Sequence, residues 1–128
     1  MTELVTKGIK ISVKTVFEGT FLKNEFIHYA FSYEIYIKNL SEDATQLLSR
    51  KWTILDSLNE NETIYEEGVV GKTPIIQPGE LHKYKSGCVL RSPNGAMKGF
   101  YLMENYSTSS QFKVRIPSFK LSATFAQN

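Results

Sequence analysis

From Ile27 to Lys38 the chain alternates without a break: Ile27, Tyr29, Phe31, Tyr33, Ile35 and Ile37 occupy one parity, and His28, Ala30, Ser32, Glu34, Tyr36 and Lys38 the other. On a helix these apolar residues would spread around the circumference. On a strand they collect on one face, which has to be covered by a second layer. A long central strand over this segment therefore commits the fold to facing sheets. Upstream, Ile9, Ile11 and Val13 alternate with Lys10, Ser12 and Lys14, and the adjacent apolar pair Val16–Phe17 predicts a bulge near Thr15. Glu18 to Glu25, with Gly19 and Asn24, reads as a polar turn region.

Downstream, Asn39 to Asp43 makes a turn, and Leu48, Trp52 and Ile54 mark the inward parity of the next strand. The turn-rich stretch Asp56 to Asn61 makes Trp52 to Tyr65 a hairpin with a polar tip. Further strands are led by Tyr84 and Cys88, by Met97 and Tyr101, and by Phe112, Val114 and Ile116, with Phe119 and Leu121 closing the pattern. Pro93-Asn94-Gly95 supplies a hairpin turn between the first two. Pro117 cannot donate to a ladder, so the last strand is expected at an edge or bent there. About seven or more antiparallel strands without a helical period describe an all-β, two-layer sandwich. A chain of 128 residues fits a single domain, 1–128, with its core over about 9–121 and short flexible termini.

The charge balance narrows function. Fifteen basic and thirteen acidic side chains leave a formal net charge of +2, with no broad field for nucleic acid or acidic membranes. Cys88, the single cysteine, rules out an internal disulfide and a zinc site built from cysteine pairs. Met1 to Lys10 lacks the apolar run of a signal peptide, and no segment reaches the roughly eighteen apolar residues needed to cross a bilayer. A cytoplasmic location is expected.

Several blocks resemble the ApaG family: Tyr29-Ala30-Phe31-Ser32-Tyr33, Ile37-Lys38-Asn39, Gln46 to Trp52, Gly68-Val69-Val70-Gly71, Pro78-Gly79-Glu80, Tyr84-Lys85-Ser86-Gly87, Gly95 to Tyr101 and Ile116-Pro117-Ser118-Phe119. The resemblance runs from about Ile9 to Leu121, in the family's order and spacing. It implies an immunoglobulin-like or fibronectin type III-like β-sandwich. It also implies an association with cobalt and magnesium tolerance, as in bacterial members, and a protein-binding role, as for similar domains attached to eukaryotic F-box and polymerase-interacting proteins.

Family members often carry Gly-x-Gly-x-x-Gly at the position of Glu66 to Gly71. Here Glu66 takes the place of the first glycine, and a carboxylate there repels phosphate. Pro74 and Pro78 follow too soon for the helix that a dinucleotide-binding turn must open. What survives is a backbone nest at Gly68 and Gly71 that could cradle an anion such as pyrophosphate, aided by Lys72 and by basic side chains of neighbouring strands, Arg50 and Lys85. Otherwise the two glycines accommodate a bulge or a close strand contact.

Asp56, Glu60, Glu62, Glu66 and Glu67 cluster without the spacing of a calcium loop, and His28 and His82 are far apart, so no metal site is expected. On a continuous strand His82 and Cys88 lie about 20 Å apart, too far for a nucleophile dyad, and Cys88 reads as a small buried thiol. No catalytic residue and no cofactor are expected. Arg50 and Lys51 flank Trp52, and Lys83, Lys85, Arg91 and Lys98 make a basic face if they share a surface; Arg50, on the inward parity, would emerge at the sheet end or stack on a ring. The leading expectation is a binding module that takes an unidentified protein partner at a sheet edge or an exposed aromatic surface; its rival is an anion sensor at Gly68 to Lys72. Exposed edges also permit a strand-paired homodimer.

Overall fold

The computed structural model describes residues 1–123, and these form nine strands. They are β1 (Thr2–Thr6), β2 (Ile9–Lys23), β3 (Phe26–Asn39), β4 (Thr45–Asp56), β5 (Glu62–Glu67), β6 (Ile75–Ile76), β7 (Leu81–Leu90), β8 (Asn94–Asn105) and β9 (Gln111–Ser122). One sheet has the order β1-β2-β3-β7; the other has β5-β4-β8-β9, with β6 also paired to β4. Every ladder is antiparallel. The result is the expected all-β immunoglobulin-like sandwich. Thr2–Thr6, outside the anticipated core of 9–121, forms a strand of its own on Ile9–Val13. The expectation of a flexible carboxyl end concerns residues 124–128, outside the described residues.

The core follows the alternation that demanded it. Ile9, Ile11, Val13, Phe31, Tyr33, Ile35 and Ile37 from one sheet face Leu47, Trp52, Met97, Tyr101, Met103, Val114, Ile116, Phe119 and Leu121 from the other. Tyr33, Trp52 and Phe119 meet at ring-centroid distances of 5.6–5.9 Å in tilted and edge-on contacts, the geometries that the aromatic quadrupole favours.

Three bulges reset parity along single strands. In β2 the step falls between Phe17 and Gly19, not near Thr15; Val16 stays exposed while Phe17 packs on Phe31. In β4 it falls between Leu47 and Ser49. Leu47 is therefore the fully buried residue and Leu48 only half-buried, whereas Trp52 and Ile54 keep the inward parity assigned to them. In β9 the extra residue lies at Pro117–Ser118, between the pairs Gly99–Ile116 and Met97–Phe119. β9 is the last strand of its sheet, so Pro117 sits both at an edge and at a bend.

The largest departure concerns Glu18 to Glu25. This segment is no polar turn region: β2 and β3 continue as a ladder to Lys23–Phe26, and only Asn24 and Glu25 turn, at φ 51° and 68°. Two consecutive positive φ values make the tight hairpin turn whose twist matches the flanking strands. The long hairpin carries its apolar residues past the end of the core, and Ile27, first in the predicted inward row, is 52% exposed.

Candidate functional site

Of the residues singled out in sequence, Arg50 and Gly68 are in contact. The bulge at Leu48 turns Arg50 inward beside Trp52, and β5 places Glu66 opposite Arg50. One guanidinium nitrogen donates to the Gly68 carbonyl at 2.5 Å, and the other meets the Glu66 carboxylate at 2.6 Å. Arg50 therefore neither stacks on a ring nor reaches open solvent, with 14% of its side chain exposed. Its charge is balanced by Glu66, the residue that departs from the family glycine.

Past Gly68 the chain makes a four-residue turn in which Val69 and Lys72 exchange both backbone hydrogen bonds, at 2.8 and 3.0 Å. Val70 and Gly71 form its corner with φ 48° and 75°. The Gly68 N–H donates to the Leu48 carbonyl. Three of the five N–H groups from Gly68 to Lys72 thus already point at carbonyl oxygens, leaving Val70 and Gly71. Gly68 itself has φ +61°, and a Cβ there would lie 2.0 Å from the Lys72 carbonyl oxygen. Close strand contact accounts for this glycine.

The core also holds a buried polar pair that sequence reading missed. The Tyr84 and Tyr101 hydroxyls are 2.5 Å apart, and burial pushes both phenols well above their usual range. His82, on the same face of β7, is held below the usual histidine range by burial first and then by the nearby Lys72 charge. Only the alternation His82, Tyr84, Ser86, Cys88, once placed on the correct face, could have revealed the grouping.

Lys85 lies elsewhere. It is opposite Glu34 on the outer face of the β1-β2-β3-β7 sheet, where Lys83 leans over Tyr36 at 5.7 Å. Lys98 occupies the outer face of the other sheet, and Arg91 stacks on Phe26 at 4.1 Å. No single basic surface unites the four. Burial raises the Cys88 thiol to about 11, with Glu62 and Asp56 adding to the shift. Cys88 pairs across the ladder with Phe31 and His82 with Ile37, and His28 stacks flat on Phe21 with ring centroids 5.1 Å apart. Asp56 accepts from the Arg91 N–H and the Ser92 hydroxyl. Among the described residues no three His, Cys, Asp or Glu side chains gather at metal-binding spacing. None of the described residues forms a helix long and apolar enough to cross a membrane.

The surface that stands out is the projecting β2–β3 arm. Phe21, Leu22, Phe26 and Ile27 are 43–71% exposed at its end, with Val16 and Val89 on its outer flank. The β1 ladder stops at Val13. From Lys14 to Lys23, β2 therefore has a ladder neighbour on the β3 side only, among the described residues. Glu18, at the bulge, accepts a short hydrogen bond from Ser32, and lysines stand at both ends of the open stretch. Arg91 packed on Phe26 ties the arm to the end of β7.

Comparison with known proteins places this architecture. The sequence profile described as the ApaG domain matches residues 20–105. Protein ApaG of Shewanella sediminis (strain HAW-EB3) is 45% identical over 115 residues, which cover 89% of this chain and 90% of the relative. An X-ray structure of a structural-genomics target matches with a TM-score of 0.87 and 38% identity over 94% of this chain and 90% of that one. The crystal structure of an ApaA protein from Bordetella pertussis matches with a TM-score of 0.80 and 29% identity, covering 94% and 95%.

Proposed function

This chain belongs to the ApaG family, and from that premise we propose that it works as a non-catalytic binding module that takes an extended segment of a partner protein along the open edge of its β2–β3 arm. One observation carries this reading: four large apolar side chains are exposed at the end of a hairpin whose outer strand has an unpaired edge from Lys14 to Lys23. Exposed apolar clusters of this kind cost solubility and mark contact sites. A strand edge offers main-chain hydrogen bonds for affinity, and the alternating side chains supply selectivity. The bulge at Glu18 and the terminal lysines discourage indiscriminate edge pairing. They favour a segment that carries acidic residues where it passes Lys14 and Lys23.

Turnover is not part of this reading. The cysteine is held as a thiol, the histidines lie away from it, and Arg50 is spent on Glu66 and the Gly68 carbonyl. A tie to cobalt or magnesium tolerance, which the family resemblance carries, would act through the partner rather than through an ion bound here.

The test is capture from the native lysate with the parent chain, with the arm variant Leu22→Ser/Ile27→Ser, and with Lys85→Ala as a control on another face. The arm variant should lose the captured protein and the control should keep it. Equal capture by all three would refute the arm. A mass of two chains in light scattering, returned to one by the arm variant, would assign the edge to a second copy of the chain.

A further inference from the structure

The outer face of the β5-β4-β8-β9 sheet carries an arrangement unrelated to the arm. Ladder register sets Tyr65, Lys51, Phe100 and Arg115 side by side on four successive strands, aromatic and cation in turn. The Lys51 ammonium lies 5.4 Å from the Tyr65 ring centre and 5.8 Å from that of Phe100, and Lys113 stands 4.6 Å over Phe100 from the next row. A ring attracts a cation through its quadrupole without cancelling its charge. The rings therefore hold these ammonium groups in place while leaving them net positive.

The next row completes a binding geometry. The β9 bulge at Pro117–Ser118 parts the ladder opposite Lys98, which has no directly paired residue on β9. A cleft of ≈ 230 Å³ opens there, lined by Lys51, Lys98, Arg115, Thr53, Ser118 and Phe100. None of its three cations has a carboxylate partner: the ion pairs among the described residues are Lys10–Glu3 and Arg50–Glu66. On the same face Glu67 lies two residues from Tyr65 and Glu104 four residues from Phe100, about 7 and 13 Å along their strands and both on the side away from Lys98. The Thr53 and Ser118 hydroxyls make no side-chain hydrogen bond among the described residues and remain able to donate.

We propose that this cleft is a binding site for a small phosphate-type polyanion, of pyrophosphate size. Three unpaired cations around two free hydroxyls match an anion that carries several charges and many acceptor oxygens, and an arginine fork suits phosphate in particular. The modest net charge of the molecule offers no field for a long polyanion. A free diphosphate and the diphosphate of a nucleotide share the same recognition chemistry, and a nucleotide base would stack on Phe100 only by displacing Lys113 from its ring. The site is distinct from the Gly68–Lys72 turn, where most N–H groups are already committed, and it is independent of the arm.

Amide NMR titration with sodium pyrophosphate tests it. Saturable shifts are expected at Lys98, Gly99 and Ser118, with the dissociation constant raised at least about tenfold in Arg115→Ala and in Lys98→Glu. Both side chains are exposed, and unchanged spectra of the free variants elsewhere would confirm that they fold. A nucleoside diphosphate is the second arm. If it binds more tightly than pyrophosphate and Phe100→Leu removes the difference, the ligand is a nucleotide; equal affinity assigns free polyphosphate. The proposal is overturned by the absence of saturation at about 10 mM, by shifts that persist in the variants, or by shifts centred on Gly68, Gly71 and Lys72. Tighter binding of an aspartate-rich peptide to the same residues would overturn it as well.

Discussion

Replacing Gly68 and Gly71 separately with alanine distinguishes a packing role from a ligand-cradling one. Both sit at positive φ, +61° and +75°, where an L residue costs about 1–2 kcal/mol. Against this, alanine lowers the entropy of the unfolded chain by about 0.4–1 kcal/mol. For Gly71, with nothing within 4 Å of a new Cβ, the account ends near about 1 kcal/mol of destabilisation. At Gly68 the new carbon would lie 2.0 Å from the Lys72 oxygen and 2.7 Å from its carbonyl carbon. That is backbone, which cannot rotate away, so the Val69–Lys72 pair has to separate. Its two hydrogen bonds and the one from Arg50 to the Gly68 carbonyl weaken together, at about 1 kcal/mol each. Gly68→Ala should therefore cost about 3–4 kcal/mol and lower the melting temperature by about 10 °C. Urea unfolding with unchanged m-values reads both variants. Equal losses, or a Gly68→Ala chain as stable as the parent, would refute the assignment of this glycine to strand contact.

Three further outcomes follow from buried and hydrogen-bonded groups. Thr45 is 1% exposed and its hydroxyl has no hydrogen-bond partner among the described residues, so Thr45→Val, nearly the same shape, should raise stability by about 1 kcal/mol in urea; a loss would mean that the hydroxyl is satisfied. With its thiol raised to about 11, Cys88 in the folded chain should react with iodoacetamide at a rate that keeps climbing above pH 10, and a plateau near pH 8.5 would contradict its burial. Burial pushes the Asp56 carboxyl up, but hydrogen bonds from Ser92, Arg91, Asn59 and Leu58 outweigh it and hold the carboxyl below the usual aspartate range. Its stabilisation is thus complete above the unfolded-state value of about 3.9 and is lost as pH falls through the folded value. Asp56→Asn should flatten that acid limb, and an unaltered pH profile would show that the carboxylate is not held.

The sandwich was legible because strand parity is a strong signal wherever both layers are buried: Phe31 to Ile37, and Met97 with Tyr101, were assigned to the faces that the fold buries. Parity fails at bulges. One extra residue at Leu48 moved the buried position to Leu47, whereas the β2 bulge at Glu18 comes after Val16, which the unbroken register from Ile9 to Phe17 already turns outward. The β2–β3 arm was misread for a different reason. Gly19, Asn24 and two glutamates look like a loop, yet only Asn24 and Glu25 turn, and the signal lay in Phe21-Leu22 and Phe26-Ile27 flanking a two-residue corner across which Leu22 pairs with Ile27.

Sites made by register are harder still to see. Arg50 and Gly68 are eighteen residues apart, and their contact needs both the β4 bulge and the β4–β5 pairing. Tyr65, Lys51, Phe100 and Arg115 span sixty-five residues of sequence with no motif among them; they become neighbours because three ladders align them in one row. A single-residue slip in β8 would turn Phe100 inward and Tyr101 outward. The cation-lined cleft therefore depends on the same parity that buries Tyr101 against Tyr84. Shifting that register, for instance by Gly99→Val, whose Cβ would meet the Lys51 carbonyl oxygen at 2.0 Å, should loosen the core and abolish the cleft together, whereas Arg115→Ala should affect the cleft alone.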